Sequence, residues 1–259
     1  MSTHPDLPDT LVHFTGRPRG PNERRDFPLT TSEDRLVSIL RTGTLRGAAP
    51  FGLDAPVLCF SEVTEEARRA MLRDGVGRGR YEPWGLVLHR QQLIAVGARP
   101  VLYVSREERD RMKAALPRRT YNRCVAYEPT PAQGTTRSDW LHEREWRICF
   151  EEWGEPVLPI TPELVAGVIV GTSGWTPLPR DGSVQPGRSG TGVSVPSLGL
   201  DLAWSAHGLA RWYWNGAELV SDGYIDVQAQ QWGAAWSWGG ALPGTSGPVR
   251  PEDGWGAEW

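Results

Sequence analysis

The stretch WLHEREWRICF, residues 140–150, decides how the chain reads. Side chains alternate across a strand. Taken as one continuous strand, it places Trp140, His142, Arg144, Trp146, Ile148 and Phe150 on one face. Leu141, Glu143, Glu145, Arg147 and Cys149 fall on the other. Trp146, Ile148 and Phe150 make a core face, and Glu143, Glu145 and Arg147 stand in a row opposite, about 7 Å between successive residues. Three readings suit that row. A solvated ion-pair ladder contributes little to stability. In a paired-carboxylate site, one glutamate beside Arg147 stabilises a developing positive charge. A magnesium nuclease needs a further carboxylate, and Glu62 in CFSE is the obvious donor.

Outward from this stretch, short strands and helices alternate. LVHFT (11–15) predicts a strand, and Thr31 with Asp34 predicts a capped helix carrying Leu36, Val37, Ile39 and Leu40, closed by Gly43. PVLCF (56–60) is a buried strand, followed by a helix from Thr64. WGLVLH (84–89) and RPVLYV (99–104) predict two more strands, and Ser105 with Glu108 caps a helix to about Leu116. GVIVG (167–171) is the last clear strand. Five or six strands with two or three longer helices predict an α+β fold.

The 259 residues carry a net charge of −3, which excludes a broadly basic nucleic-acid binder. Of 28 basic residues only Lys113 is lysine. Cys59, Cys124 and Cys149 form no CxxC pair, which argues against a zinc knuckle and a disulfide scaffold. LVAGVIV (164–170) is the longest apolar run, far below a membrane span, and the N-terminus lacks a signal-peptide plan, so a cytoplasmic protein without membrane association is expected. Residues 200–259 hold 8 of the 13 tryptophans and a net charge of −5. Residues 176–199 are rich in Pro, Gly and Ser. The expected organisation is a core over 1–175, a linker over 176–199 and a Trp-rich acidic accessory region over 200–259. GAELVSDGYIDV (216–227) has the alternation of strands, so part of that region is expected to fold.

Single residues carry ordinary readings beside functional ones. His13 in mid-strand suits a structural role, Ser61 suits a turn or helix cap, and Tyr81 and Trp84 suit a core. Residues 99–123 hold eight basic and three acidic residues around Tyr121. That composition suits a solvated helix face or a single-stranded nucleic-acid track.

In order, LVHFT, RLVSILRTGTLRG, VLCFSE, YEPWGLVL, RPVLYV, WLHEREWRI and VIVG resemble the AbiGi abortive-infection family of bacterial phage-defence proteins. More distantly the order is similar to ADP-ribosyltransferases of the DarT kind. This resemblance implies a split mixed or antiparallel sheet core with few helices. It implies NAD as cofactor, contacted by His13, Thr15, Ser61 and Tyr81, with Trp84 a second stacking candidate. Glu143 and Glu145 match an ExE pair whose second glutamate is catalytic. The inserted segment GRPRGPNERRDFPL offers Arg17, Arg19, Arg24 and Arg25 to a pyrophosphate. The implied activity is a toxin or defence effector that transfers ADP-ribose to a nucleic acid or protein, with an antitoxin or phage-derived trigger as further partners. The alternatives from other classes are a metal-dependent nuclease using Glu62, Glu143 and Glu145, and a non-catalytic sensor or antitoxin-like binding module.

Overall fold

The computed structural model describes residues 7–16, 31–49, 53, 55–74, 81–130, 138–150, 155–177 and 208–225. Strand β1 (Thr10–Phe14) leads to helix α1 (Ser32–Thr42). The Thr31 side chain accepts from the Asp34 N–H at 3.0 Å, and the Asp34 carboxylate accepts from the Thr31 N–H at 3.0 Å. This reciprocal cap satisfies two amides that a helix start leaves without partners. Gly43 ends the helix at φ 63°, a left-handed conformation that glycine takes without penalty. Then follow β2 (Thr44–Arg46), β3 (Val57–Ser61), α2 (Glu65–Arg73), β4 (Gly85–His89) and α3 (Arg90–Ala95). The chain continues through β5 (Arg99–Pro100), β6 (Leu102–Val104), α4 (Arg106–Ala115), α5 (Arg118–Tyr121) and β7 (Cys124–Ala126). The last described elements are β8 (Glu145–Cys149), β9 (Val157–Pro159), β10 (Val165–Val170), β11 (Leu209–Trp214) and β12 (Leu219–Ile225).

Eight strands form one sheet in the order β12-β11-β10-β4-β1-β3-β8-β5. All neighbours are antiparallel except β10 and β11, which run parallel. Two small pairs, β2 with β9 and β6 with β7, lie outside it. A large mixed sheet with few helices agrees with the α+β expectation, although the strands outnumber the five or six expected. Apart from β11, six residues long, the extra ones are two or three residues long, too short to show a period of two.

One face of the sheet carries the main core. Leu11, Leu58, Phe60, Leu86, Leu88 and Ile148 pack there against Leu36 and Leu40 of α1 and Leu93 of α3. Each fully buried side chain of this size contributes about 1.5–3 kcal/mol. The opposite face buries a smaller cluster of Val12, Val87 and Ile169, covered by Phe14, Trp212 and Leu219.

Two expected strands differ in the structure. RPVLYV divides at Val101 into β5, on the main sheet, and β6, which pairs with β7 instead. The strand expected from Trp140 starts only at Glu145, because Leu141–Glu143 forms a 3-10 turn. The described part of the Trp-rich region, 208–225, extends the main sheet through β11 and β12. The remainder of that region, and all of the expected linker beyond Pro177, fall outside the described residues.

Candidate active site

Strands β1 and β3 are neighbours, yet they register only at Val12↔Ser61. Beyond that pair they part, and a cleft of about 90 Å³ opens between them. His13 spans the gap, its Nδ1 2.9 Å from the Cys59 carbonyl oxygen. A carbonyl only accepts, so Nδ1 carries the proton and the neutral ring keeps Nε2 as an acceptor. Burial lowers the pKa of this ring, against an opposing contribution from the Cys59 carbonyl. The ring is therefore neutral at pH 7. On its other side β1 is pressed onto β4. A Cβ on Gly85 would meet the His13 oxygen at 2.7 Å, so the approach needs glycine.

The far wall comes from the turn before β8. Arg144 closes the 3-10 turn in the left-handed region, φ 43° and ψ 54°, the one such non-glycine among the described residues. Glu62 braces it. The Glu62 N–H donates to the Arg144 carbonyl at 3.1 Å, and one Glu62 oxygen lies 3.4 Å from Arg144 Nη2. Its other oxygen accepts from Arg90 Nη1 at 3.1 Å. The turn breaks the alternation expected from residue 140, so Glu143 does not stand on the strand face with Glu145. The turn nevertheless brings both glutamates to the same cleft.

The row of charges is not a solvated ladder. Glu145 and Arg147 are each 7% exposed. Arg147 donates from Nε to Glu145 Oε1 at 2.7 Å and from Nη2 to Oε2 at 3.1 Å. Its Nη1 donates to the Asn122 carbonyl at 2.7 Å. Burial pulls the Arg147 guanidinium down, and Glu145 together with the neighbouring Cys59 and Cys149 raises it, leaving it above its ordinary value. Glu145 lines the cleft and Arg147 stands behind it, so the pair presents its negative end. Glu143, also buried, accepts from the Tyr81 hydroxyl at 2.8 Å. Tyr81 stacks on Phe14 with ring centroids 4.6 Å apart.

The cleft thus gathers His13, Ser61, Tyr81, Glu143 and Glu145. Register explains part of this: Ser61 pairs with Glu145 and Cys59 with Arg147, and cross-strand partners share a face. Thr15 stands apart from the lining. Its hydroxyl lies 2.7 Å from the Ser32 carbonyl oxygen and 3.1 Å from that of Trp84, tying β1 to α1 and β4. Trp84 packs in the core against Trp175. Tyr121 is buried under Arg109 and Lys113, at 5.4 and 5.8 Å from its ring centre, so it offers no open face for a base. Arg17, Arg19, Arg24 and Arg25 lie outside the described residues.

Two lining residues, Phe14 and Cys59, carry no sequence signal of function. Burial pushes the Cys59 thiol well up, and Glu145 adds to the rise, so it is not a thiolate nucleophile. Among the described residues no three His, Cys, Asp or Glu side chains cluster to hold a metal ion, and Glu62 is engaged by two arginines. No helix of the described residues is long and apolar enough to cross a membrane. No family model matches the chain, and comparisons with curated proteins and with solved structures find no match either.

Proposed function

We propose that this protein is an NAD-dependent ADP-ribosyltransferase-like toxin or phage-defence effector, acting on a nucleic-acid or protein acceptor. One observation carries the reading. The cleft at the parting of two strands has a buried carboxylate, Glu145, fixed in place by two hydrogen bonds from a guanidinium behind it. A carboxylate so fixed need not reorganise when positive charge develops in front of it. NAD, when bound, would supply a ribose whose bond to nicotinamide can break with that charge developing at C1. Each Glu145 oxygen has acceptor capacity beyond its bond to Arg147, enough to take a ribose hydroxyl. His13 Nε2, an acceptor in the neutral ring, suits a second hydroxyl. The Phe14–Tyr81 stack gives an aromatic wall for a flat ring.

The cleft volume suits one ring-sized group, so the described residues fit the nicotinamide end of the dinucleotide rather than its whole length. NAD, bound there, would supply the ribose carbon and the nicotinamide leaving group, which would carry away the electron pair of the broken bond. Glu143, oriented by the Tyr81 hydroxyl, is placed to take the proton that the acceptor would shed on bonding to that carbon.

The test uses the full chain with NAD labelled in its ADP-ribose part, incubated separately with RNA, DNA and cell lysate without added divalent metal. Labelled acceptor with release of free nicotinamide is the expected result. Nucleic-acid cleavage that requires magnesium would replace this reading with a nuclease. Absence of both NAD binding and transfer would leave a non-catalytic binding module.

A further inference from the structure

Just past the end of β5, Val101 donates its N–H to the Glu145 carbonyl at 2.9 Å. The N–H of a strand residue points to the same side as its carbonyl, so the Glu145 N–H also faces β5. It meets no strand there, because the chain turns away after Val101 to form β6. The Tyr103 hydroxyl takes the vacant place. It accepts from the Glu145 N–H at 2.9 Å and donates to the Trp140 carbonyl at 3.2 Å. A phenol has one proton and free lone pairs, so both bonds can be held at once.

We propose that Tyr103 is a positioning residue for the glutamate pair: one hydroxyl ties the start of the turn, Trp140, to its end, Glu145, and so sets where Glu143 and Glu145 stand in the cleft. The proposal rests on the transferase reading for its catalytic consequence, while the tether itself is independent of what the site does. Three facts fit it. The turn contains a left-handed Arg144, a conformation that needs its surroundings to hold it. Its other brace, Glu62, meets the turn at Arg144, whereas Tyr103 joins its two ends. Burial, with Glu145 and Glu143 nearby, raises the Tyr103 pKa to about 12, so the hydroxyl stays protonated and keeps its donor across the neutral range.

The experiment compares Tyr103→Phe with wild type, since Phe removes the hydroxyl and keeps the ring. Amide hydrogen exchange should speed up by about tenfold or more across residues 140–145, with β4 and β10 unchanged. Transfer should show kcat reduced by about 10²-fold, as expected for misplaced catalytic groups, with KM for NAD nearly unaltered. Unchanged exchange over 140–145 would overturn the tether. Faster exchange with unchanged kcat would overturn the positioning role, as would a loss carried wholly by KM. If wild type transfers nothing, the transferase reading fails by itself, and exchange still decides the tether.

Discussion

Arg147 and Glu145, two residues apart on one strand, meet through two side-by-side hydrogen bonds, Nε to Oε1 at 2.7 Å and Nη2 to Oε2 at 3.1 Å. Both are buried, so each is the other's main counter-charge. Glu145→Gln keeps the shape and drops the charge, leaving a buried cation. It should cost about 1–3 kcal/mol in stability and lower transfer by about 10²-fold or more. Adding Arg147→Met should restore part of the stability and none of the transfer. Thermal unfolding and labelled-NAD assays on the three proteins check this, and full transfer by a folded Gln variant would remove Glu145 from the chemistry.

His13 gives a pH signature. The unfolded ring titrates near 6.5, and burial places the folded value lower. Between the two values the unfolded chain binds a proton that the folded chain does not, so stability falls as pH drops through that window. His13→Gln should flatten this part of the profile and weaken NAD binding more than it weakens the fold at neutral pH. Urea unfolding from about pH 7.5 to about pH 5.5, with calorimetry at the upper end, decides it. Parallel wild-type and variant profiles would contradict the assignment.

Arg144 should tolerate glycine and reject β-branching. Arg144→Gly relieves the left-handed backbone while losing the ion pair with Glu62, for a net change within about 1 kcal/mol. Arg144→Val should destabilise by about 1–3 kcal/mol. Denaturant midpoints that rank the two variants the other way would refute the strained turn.

The junction of β10 and β11 can be broken at one atom. A Cβ on Gly167 would lie 2.4 Å from the Ala210 oxygen and 2.4 Å from the Trp212 ring. Gly167→Ala should therefore destabilise the fold by about 1–3 kcal/mol, although the residue does not line the cleft. Ending the chain at Pro177 removes β11 and the edge strand β12, bares β10 and should give an insoluble product. A soluble, cooperatively folding fragment would mean that β11 and β12 are dispensable.

Much of this architecture is legible in short-range patterns. Thr31, Asp34 and Gly43 bracket α1 because caps and left-handed ends need particular side chains within three or four residues. The apolar runs at 56–60 and 84–89 mark β3 and β4 for the same local reason. The turn at 141–144 is not legible, because Leu-His-Glu-Arg alternates as well as a strand does and arginine does not signal a positive φ. Tyr103 is hidden differently: its partners are 37 and 42 residues away, and only the departure of β6 from β5 brings it to them. The parallel pairing of β11 on β10 crosses more than thirty residues of chain, beyond any local rule.

Where β1 and β3 part, a side chain takes over from the backbone. Paired strands lie about 4.8 Å apart whatever their sequence, since amide and carbonyl dimensions set the distance. Past Val12↔Ser61 the gap is instead bridged by an imidazole against the Cys59 carbonyl. The aperture is then adjustable by substitution, as a shim sets the clearance between two fixed plates. Exchanging one residue there would resize the mouth, and with it the girth of molecule admitted, while every ladder bond on either side keeps its length.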